Sequence, residues 1–312
     1  MPASFREVRP YSGVDETAKG GPAMIVPLGG TNLIRLVNGQ NFNVPPVRGL
    51  QVDAIPNAEL MTELMMIAAL TLTANDYAAQ ARWSILAQLR SGDQRFFKIK
   101  ADHKLGKNGV TLTATSGAQN ANIKIVPLDK RTVTLAIRPV QYKDTNGNLV
   151  NHSQVPFDAQ DMCNKMNSIW TPQANVEFKL ISTKPALVDD KIKAQIAQIL
   201  GTSIFPNFFD IDAMIDVLKS WASEGPKAEL TMFLVQRAKW DGDFPYGITR
   251  ASAGISLIPD IRHDDTMAHE AGHFLGVDDL DPKHFPEPCL MCNVRSLKIP
   301  FDQTIKTFNT NY

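Results

Sequence analysis

The chain has 312 residues, a length that suggests about two domains of ordinary size. Hydrophobic residues make up 44% and charged residues 21%, a globular balance that excludes a largely disordered chain. Lys plus Arg number 32 and so do Asp plus Glu, so the basic excess of a nucleic-acid binder is missing. To residue 128 there are 13 basic and 9 acidic residues, and after it 19 and 23, a mild asymmetry consistent with two units. The longest strictly apolar run, 64–70, is far short of the roughly 18 residues that span a bilayer.

The first 13 residues, MPASFREVRPYSG, carry both charge signs and no apolar stretch, so they do not read as a secretory signal. A signal-independent route out of the cytoplasm stays open. Residues 1–21 are polar, hold Pro10, Gly13, Gly20 and Gly21, and are expected to be a flexible lead-in. From 22 to 128, the segments 32–37, 95–100, 110–115 and 121–126 alternate or are β-branched, with turn pairs Asn108-Gly109 and Ser116-Gly117 between them. This predicts a β-rich domain. The stretch 59–90 is rich in Ala, Leu and Met and stays ambiguous between helix and strand. Residues 97–128 resemble the last strands of bacterial immunoglobulin-like domains, which implies a smaller sandwich acting as a spacer, a positioning unit or an adhesive module.

The pattern changes near 129. Segment 131–138 reads as a strand, and 158–170 as an amphipathic helix with Asp158 as its N-cap. Segment 175–181 is a second strand, 189–200 and 211–222 are helical, and the apolar run 229–236 fits a strand covered on both faces. Segment 253–258 is another strand and 265–275 another helix, so residues 129–312 form an α+β layer domain. Trp170 and Trp240 are expected in the core.

That last helix carries the chemistry, His269-Glu-Ala-Gly-His273-Phe-Leu-Gly276-Val-Asp-Asp279. Two histidines four apart project from one helix face and can share an ion, with Glu270 beside them to take a proton from water. With 6 His in the chain, composition alone would produce His-Glu-x-x-His by chance with a probability of about 0.3%. Two nitrogens and a carboxylate suit zinc with one position open. Gly276 sits where a helix would end and permits the left-handed turn. Asp279 then returns as third ligand, with Asp278 its competitor.

These residues resemble the metzincin metallopeptidases, and His269, Glu270, His273, Gly276 and Asp279 match their aspartate-ended, snapalysin-like variant. The resemblance implies a zincin catalytic domain, a twisted mixed sheet with an active-site helix, with 189–222 as an insertion. It implies one zinc per chain, Met291 in a methionine turn under the metal, and a protein or peptide substrate. It also implies that an edge strand, assigned to Ala253, Gly254, Ile255 and Ser256, pairs with extended substrate. Residues 293–297, Asn293 among them, would wall the pocket beyond the cut. The tyrosine some members place after that methionine is missing, since Cys292 and Asn293 follow Met291, and Tyr246 is a distant substitute.

Cys289 and Cys292 are open to a local disulfide, a bond to Cys163, free thiols or a second metal. His263 and His284 read as solvated loop residues. The reading is a zinc endopeptidase working outside the cytoplasm, with Glu270 as general base. One rival is a cell-wall-peptide metallohydrolase or injected effector, and another is a binding or adhesion protein with a non-catalytic metal site. The sequence identifies no inhibitor or immunity partner.

Overall fold

The computed structural model describes residues 2–8, 14–16, 18, 20–39, 41–56, 94–101, 109–201, 206–262, 265–279 and 290–291. Within them the chain is mixed α+β, mostly strands, with four α-helices. The stretch 59–90 and residues His263, His284, Cys289, Cys292 and Asn293 lie outside the described residues. No helix among the described residues is long and apolar enough to cross a membrane.

The first half contains two four-stranded sheets. One runs β1 (Ser4–Glu7), β4 (Thr31–Val37), β6 (Gln94–Ala101), β5 (Leu50–Ile55), all antiparallel. The other runs β2 (Val14–Asp15), β3 (Ala23–Pro27), β8 (Gln119–Leu128), β7 (Val110–Ser116), with β3 and β8 parallel. Alternate residues of both sheets, including Phe5, Met24, Ile34, Phe97, Leu112 and Ile123, share one buried core. Period-2 alternation is what gives each strand one face for that core. The expected lead-in needs correcting on this point: β1 and β2 fall inside residues 1–21, and Phe5, Val8 and Val14 are buried. Their apolar residues were too few and too interrupted to register as a pattern.

The second half is built on β9 (Arg131–Lys143), whose neighbours are β10 (Leu149–Asn151), β11 (Val176–Ser182), β12 (Ala186–Val188) and β14 (Leu230–Leu234). Next to β14 lies β17 (Ile255–Ile258), parallel to it, and beyond that β16 (Ile248–Arg250), antiparallel. Two short strands, β13 (Phe209–Asp210) and β15 (Ala238–Lys239), pair separately.

Helices cover both faces of this sheet. Helix α1 (Ala159–Ala174) and helix α4 (Thr266–Phe274) share a core with Leu230, Met232 and Leu234. Helices α2 (Asp190–Leu200) and α3 (Ile215–Ala222) share another with Phe233, Val235, Ile255 and Leu257. Because β14 is covered twice, every one of its residues is buried, and the apolar run has no polar alternation.

Caps explain the helix limits. Asp158 accepts from the backbone N–H of Gln160 and Asp161 at 2.8 and 3.0 Å, as its N-cap assignment requires. Helix α1 runs past 170 to Asn175, a residue at φ 52° that takes the left-handed C-cap position. The Asn175 amide also donates to Leu128 O at 2.7 Å, tying the end of α1 to the junction between the two halves. Helix α3 starts later than the expected 211, since Asp210 Oδ1 accepts from the N–H of Asp212 and Ala213 and holds a turn there.

Candidate metal centre

Helix α4 brings His269, Glu270 and His273 together, their ligand atoms within 4.8 Å of one another. His269 Nδ1 lies 2.8 Å from Leu290 O, and His273 Nδ1 lies 3.0 Å from Val277 O. A carbonyl only accepts, so each Nδ1 carries a proton, and in the neutral imidazole each Nε2 presents a lone pair. Both Nε2 atoms face one carboxylate oxygen, Asp279 Oδ1, at 3.3 Å from His269 and 3.7 Å from His273. Ligands about 2.0–2.1 Å from a tetrahedral metal stand roughly 3.3–3.4 Å apart, so the spacing fits a zinc ion. With both imidazoles neutral, the three acceptors converging on one point repel each other unless a cation lies between them. The donor set therefore fits the metal its chemistry implies.

The helix end aims Asp279. Gly276 N–H donates to His273 O at 3.0 Å and Val277 N–H to Gly272 O at 2.9 Å, with Gly276 at φ 86°. This paired bonding is the Schellman stop, and it reverses the chain within three residues of the second histidine. Val277 is buried, which pins the reversal, while Asp279 stays exposed and faces the rings. An exposed ion pair alone would hold this arrangement weakly.

Below the helix, Met291 is fully buried. A Cβ on Gly272 would come within 2.5 Å of Met291 Sδ, so the small residue in the motif makes room for the methionine. Trp170 Nε1 donates to Ala268 O at 2.9 Å, bracing the same helix from α1. Trp170 is in the core as expected, but Trp240 is 42% exposed, with the Arg250 guanidinium 5.4 Å from its ring centre.

Glu270 is buried, with a carboxylate oxygen within 4.8 Å of a ring nitrogen of each histidine. Its Oε2 accepts from Thr249 Oγ1 at 2.7 Å. Thr249 stands on β16 and was not identified in the sequence, because 21 residues separate it from its partner. Arg250, next in the strand, is bonded to Asp212 through Nε at 2.5 Å and also through its NH2 group, anchoring β16 to the residues before α3.

The expected rim also moves. Ile255 and Ser256 belong to β17, which is hydrogen-bonded on both sides, so it is an inner strand. Ala253 closes a 3-10 turn, and Gly254 turns at φ 63° where a Cβ would meet Glu229 O at 2.3 Å. Among the described residues, the edge of the sheet on this side is β16. Ser256 is fully buried and bonded to Thr249 at 2.7 Å, so its side chain faces the protein interior.

Cys163 is buried and is a free thiol among the described residues. Burial pushes its thiol up from the ordinary value, and its Sγ lies 3.2 Å from Phe178 O. In comparisons with known proteins, the chain matches no family model and no curated protein.

Proposed function

We propose that residues 129–312 are a zinc-dependent metalloendopeptidase domain of metzincin type. His269, His273 and Asp279 are its metal ligands and Glu270 is its general base. The observation that carries this reading is the convergence of two histidine lone pairs on one oxygen of Asp279, at 3.3 and 3.7 Å, with both rings fixed from behind by carbonyls. Zinc bound there would lower the pKa of water toward about 7 and polarise a scissile carbonyl.

The protein's own residues supply the rest. Glu270 takes the proton from the attacking water and then gives one to the departing amine, which is why it must sit beside the ligands without being one. Edge strand β16 offers its outer backbone to an extended peptide, which gives affinity with little dependence on side chains. The paired sheets of the first half are an immunoglobulin-like unit that positions the catalytic domain.

Cleavage of casein tests the reading. The zinc-loaded chain is expected to cut it, to stop when a chelator is added, and to lose roughly 10²- to 10⁴-fold in rate as Glu270→Gln while keeping its zinc. Full activity of Glu270→Gln would contradict the role given to Glu270. Zinc binding without cleavage of casein or of isolated cell-wall peptides would favour a non-catalytic metal site in a binding protein.

A further inference from the structure

Glu270 is 2% exposed, and a carboxylate that deep must be held by donors. Thr249 and Ser256, both buried, lie on adjacent strands beside it. Thr249 Oγ1 is 2.7 Å from Glu270 Oε2, 2.7 Å from Ser256 Oγ and 3.1 Å from Glu270 O. A hydroxyl has one proton. Carboxylate and carbonyl oxygens can only accept, so the Thr249 proton goes to the nearer one, Oε2, and Ser256 donates to Thr249 in turn. The other carboxylate oxygen has its own constraint. A Cβ on Gly247 would come within 2.5 Å of Oε1 and 2.8 Å of Cγ and Cδ, and Gly247 is not among the glycines at positive φ. What the chain needs at 247 is therefore space for the carboxylate, since the backbone there suits any residue.

We propose that Gly247, the residue just before β16, and Thr249 within it form a seat that fixes the orientation of the Glu270 carboxylate, with Ser256 orienting the Thr249 hydroxyl. Thr249 is a positioning residue. The inference rests on the reading of Glu270 as general base and adds what holds that base in register with the edge of the sheet. A base held this way loses no time in unproductive rotamers, and its orientation depends on the strand that would take the substrate.

The test compares Thr249→Val, which keeps the shape and removes the donor, with Thr249→Ser, which keeps the donor. On fluorescein-labelled casein, T249V is expected to lower kcat about 10- to 100-fold at unchanged KM and unchanged zinc content. T249S restores kcat to within about three-fold of wild type. Metal-free protein gives a readout without turnover. T249V lowers its unfolding midpoint by roughly 3–8 °C, and most of that loss disappears in a Glu270→Ala background, where the hydroxyl has no carboxylate to hold. Wild-type kcat in zinc-loaded T249V, a T249S as slow as T249V, or additive effects of T249V and E270A on the midpoint each overturn the assignment. Additivity in metal-free protein would remove the Thr249 seat and leave the peptidase reading intact. A wild-type chain that takes up no zinc and leaves casein whole would remove the peptidase reading and this seat with it.

Discussion

Two histidines are buried almost equally, His152 at 2% exposure and His269 at 6%, and their second ring nitrogens meet opposite kinds of group. His152 Nδ1 accepts from Gln236 N–H at 2.9 Å and its Nε2 donates to Pro206 O at 3.0 Å, so the backbone satisfies the whole ring. It also packs edge-on against Phe209, 4.8 Å between ring centres. His269 Nδ1 also meets a backbone carbonyl, but its Nε2 faces a carboxylate, with the ring of a second histidine edge-on beside it. Burial and residue type are the same in both. What separates the two, and what the proposed ligand role of His269 rests on, is the character of the groups the second nitrogen meets.

Breaking that comparison at His269 should have the largest effect. His269→Ala is expected to abolish zinc retention and casein cleavage, while His152→Gln, whose amide can still accept and donate, keeps both. Elemental analysis and a cleavage assay would show whether the two positions separate. Asp279→Ala comes next: it removes one of the three proposed ligands and is expected to weaken zinc binding about 100-fold or more, with Asp278→Ala close to wild type in a competition titration. The reverse result, a loss in Asp278→Ala with Asp279→Ala close to wild type, would move the third ligand.

The support under the helix should cost stability. Met291→Ala empties a fully buried site against Gly272, and denaturant unfolding is expected to register a loss of about 2–5 kcal/mol. Zinc affinity should fall less than in Asp279→Ala, since Leu290 O still holds the His269 ring.

The smallest effect is the pH dependence contributed by His152. Burial holds its ring below the ordinary value of 6.5, against weaker upward pulls from the Pro206 hydrogen bond and the Asp260 charge. The unfolded chain therefore takes up a proton at higher pH than the folded one. This contribution to stability is full above about 6.5 and declines as the pH falls from there toward the folded value. Urea midpoints between pH 7 and 5 should fall less steeply in His152→Gln than in wild type, and equal slopes would count against a neutral, backbone-bonded ring.

The sequence disclosed features whose causes are local. Helix α4, the Gly276 stop and the Asp158 cap each depend on residues a few positions apart, and each stands where the spacing predicted. The doubly covered strand β14 was legible because continuous burial leaves a continuous apolar run. The same logic was available for 255–258, where every residue is buried, yet this segment was assigned to the edge. The true edge strand, Ile248–Arg250, is only three residues long and follows a loop containing Pro245 and Gly247, so no alternation could mark it.

Strands β1 and β2 were hidden for the same reason. Their four and two residues gain meaning only against β4 and β3. The seat of Glu270 was beyond reach altogether. It is a contact between strand and helix across 21 residues, and neither Thr249 nor Gly247 carries a local signal of it. Trp240 shows the limit of composition, since an aromatic ring left half in solvent beside an arginine looks in sequence like any core tryptophan.

The measurement that tests the central claim most directly is zinc content by elemental analysis on three proteins prepared alike, wild type, His269→Ala and His152→Gln. The account predicts about one zinc per chain in wild type, none in His269→Ala and about one in His152→Gln. Zinc absent from wild type, or retained by His269→Ala, would contradict it.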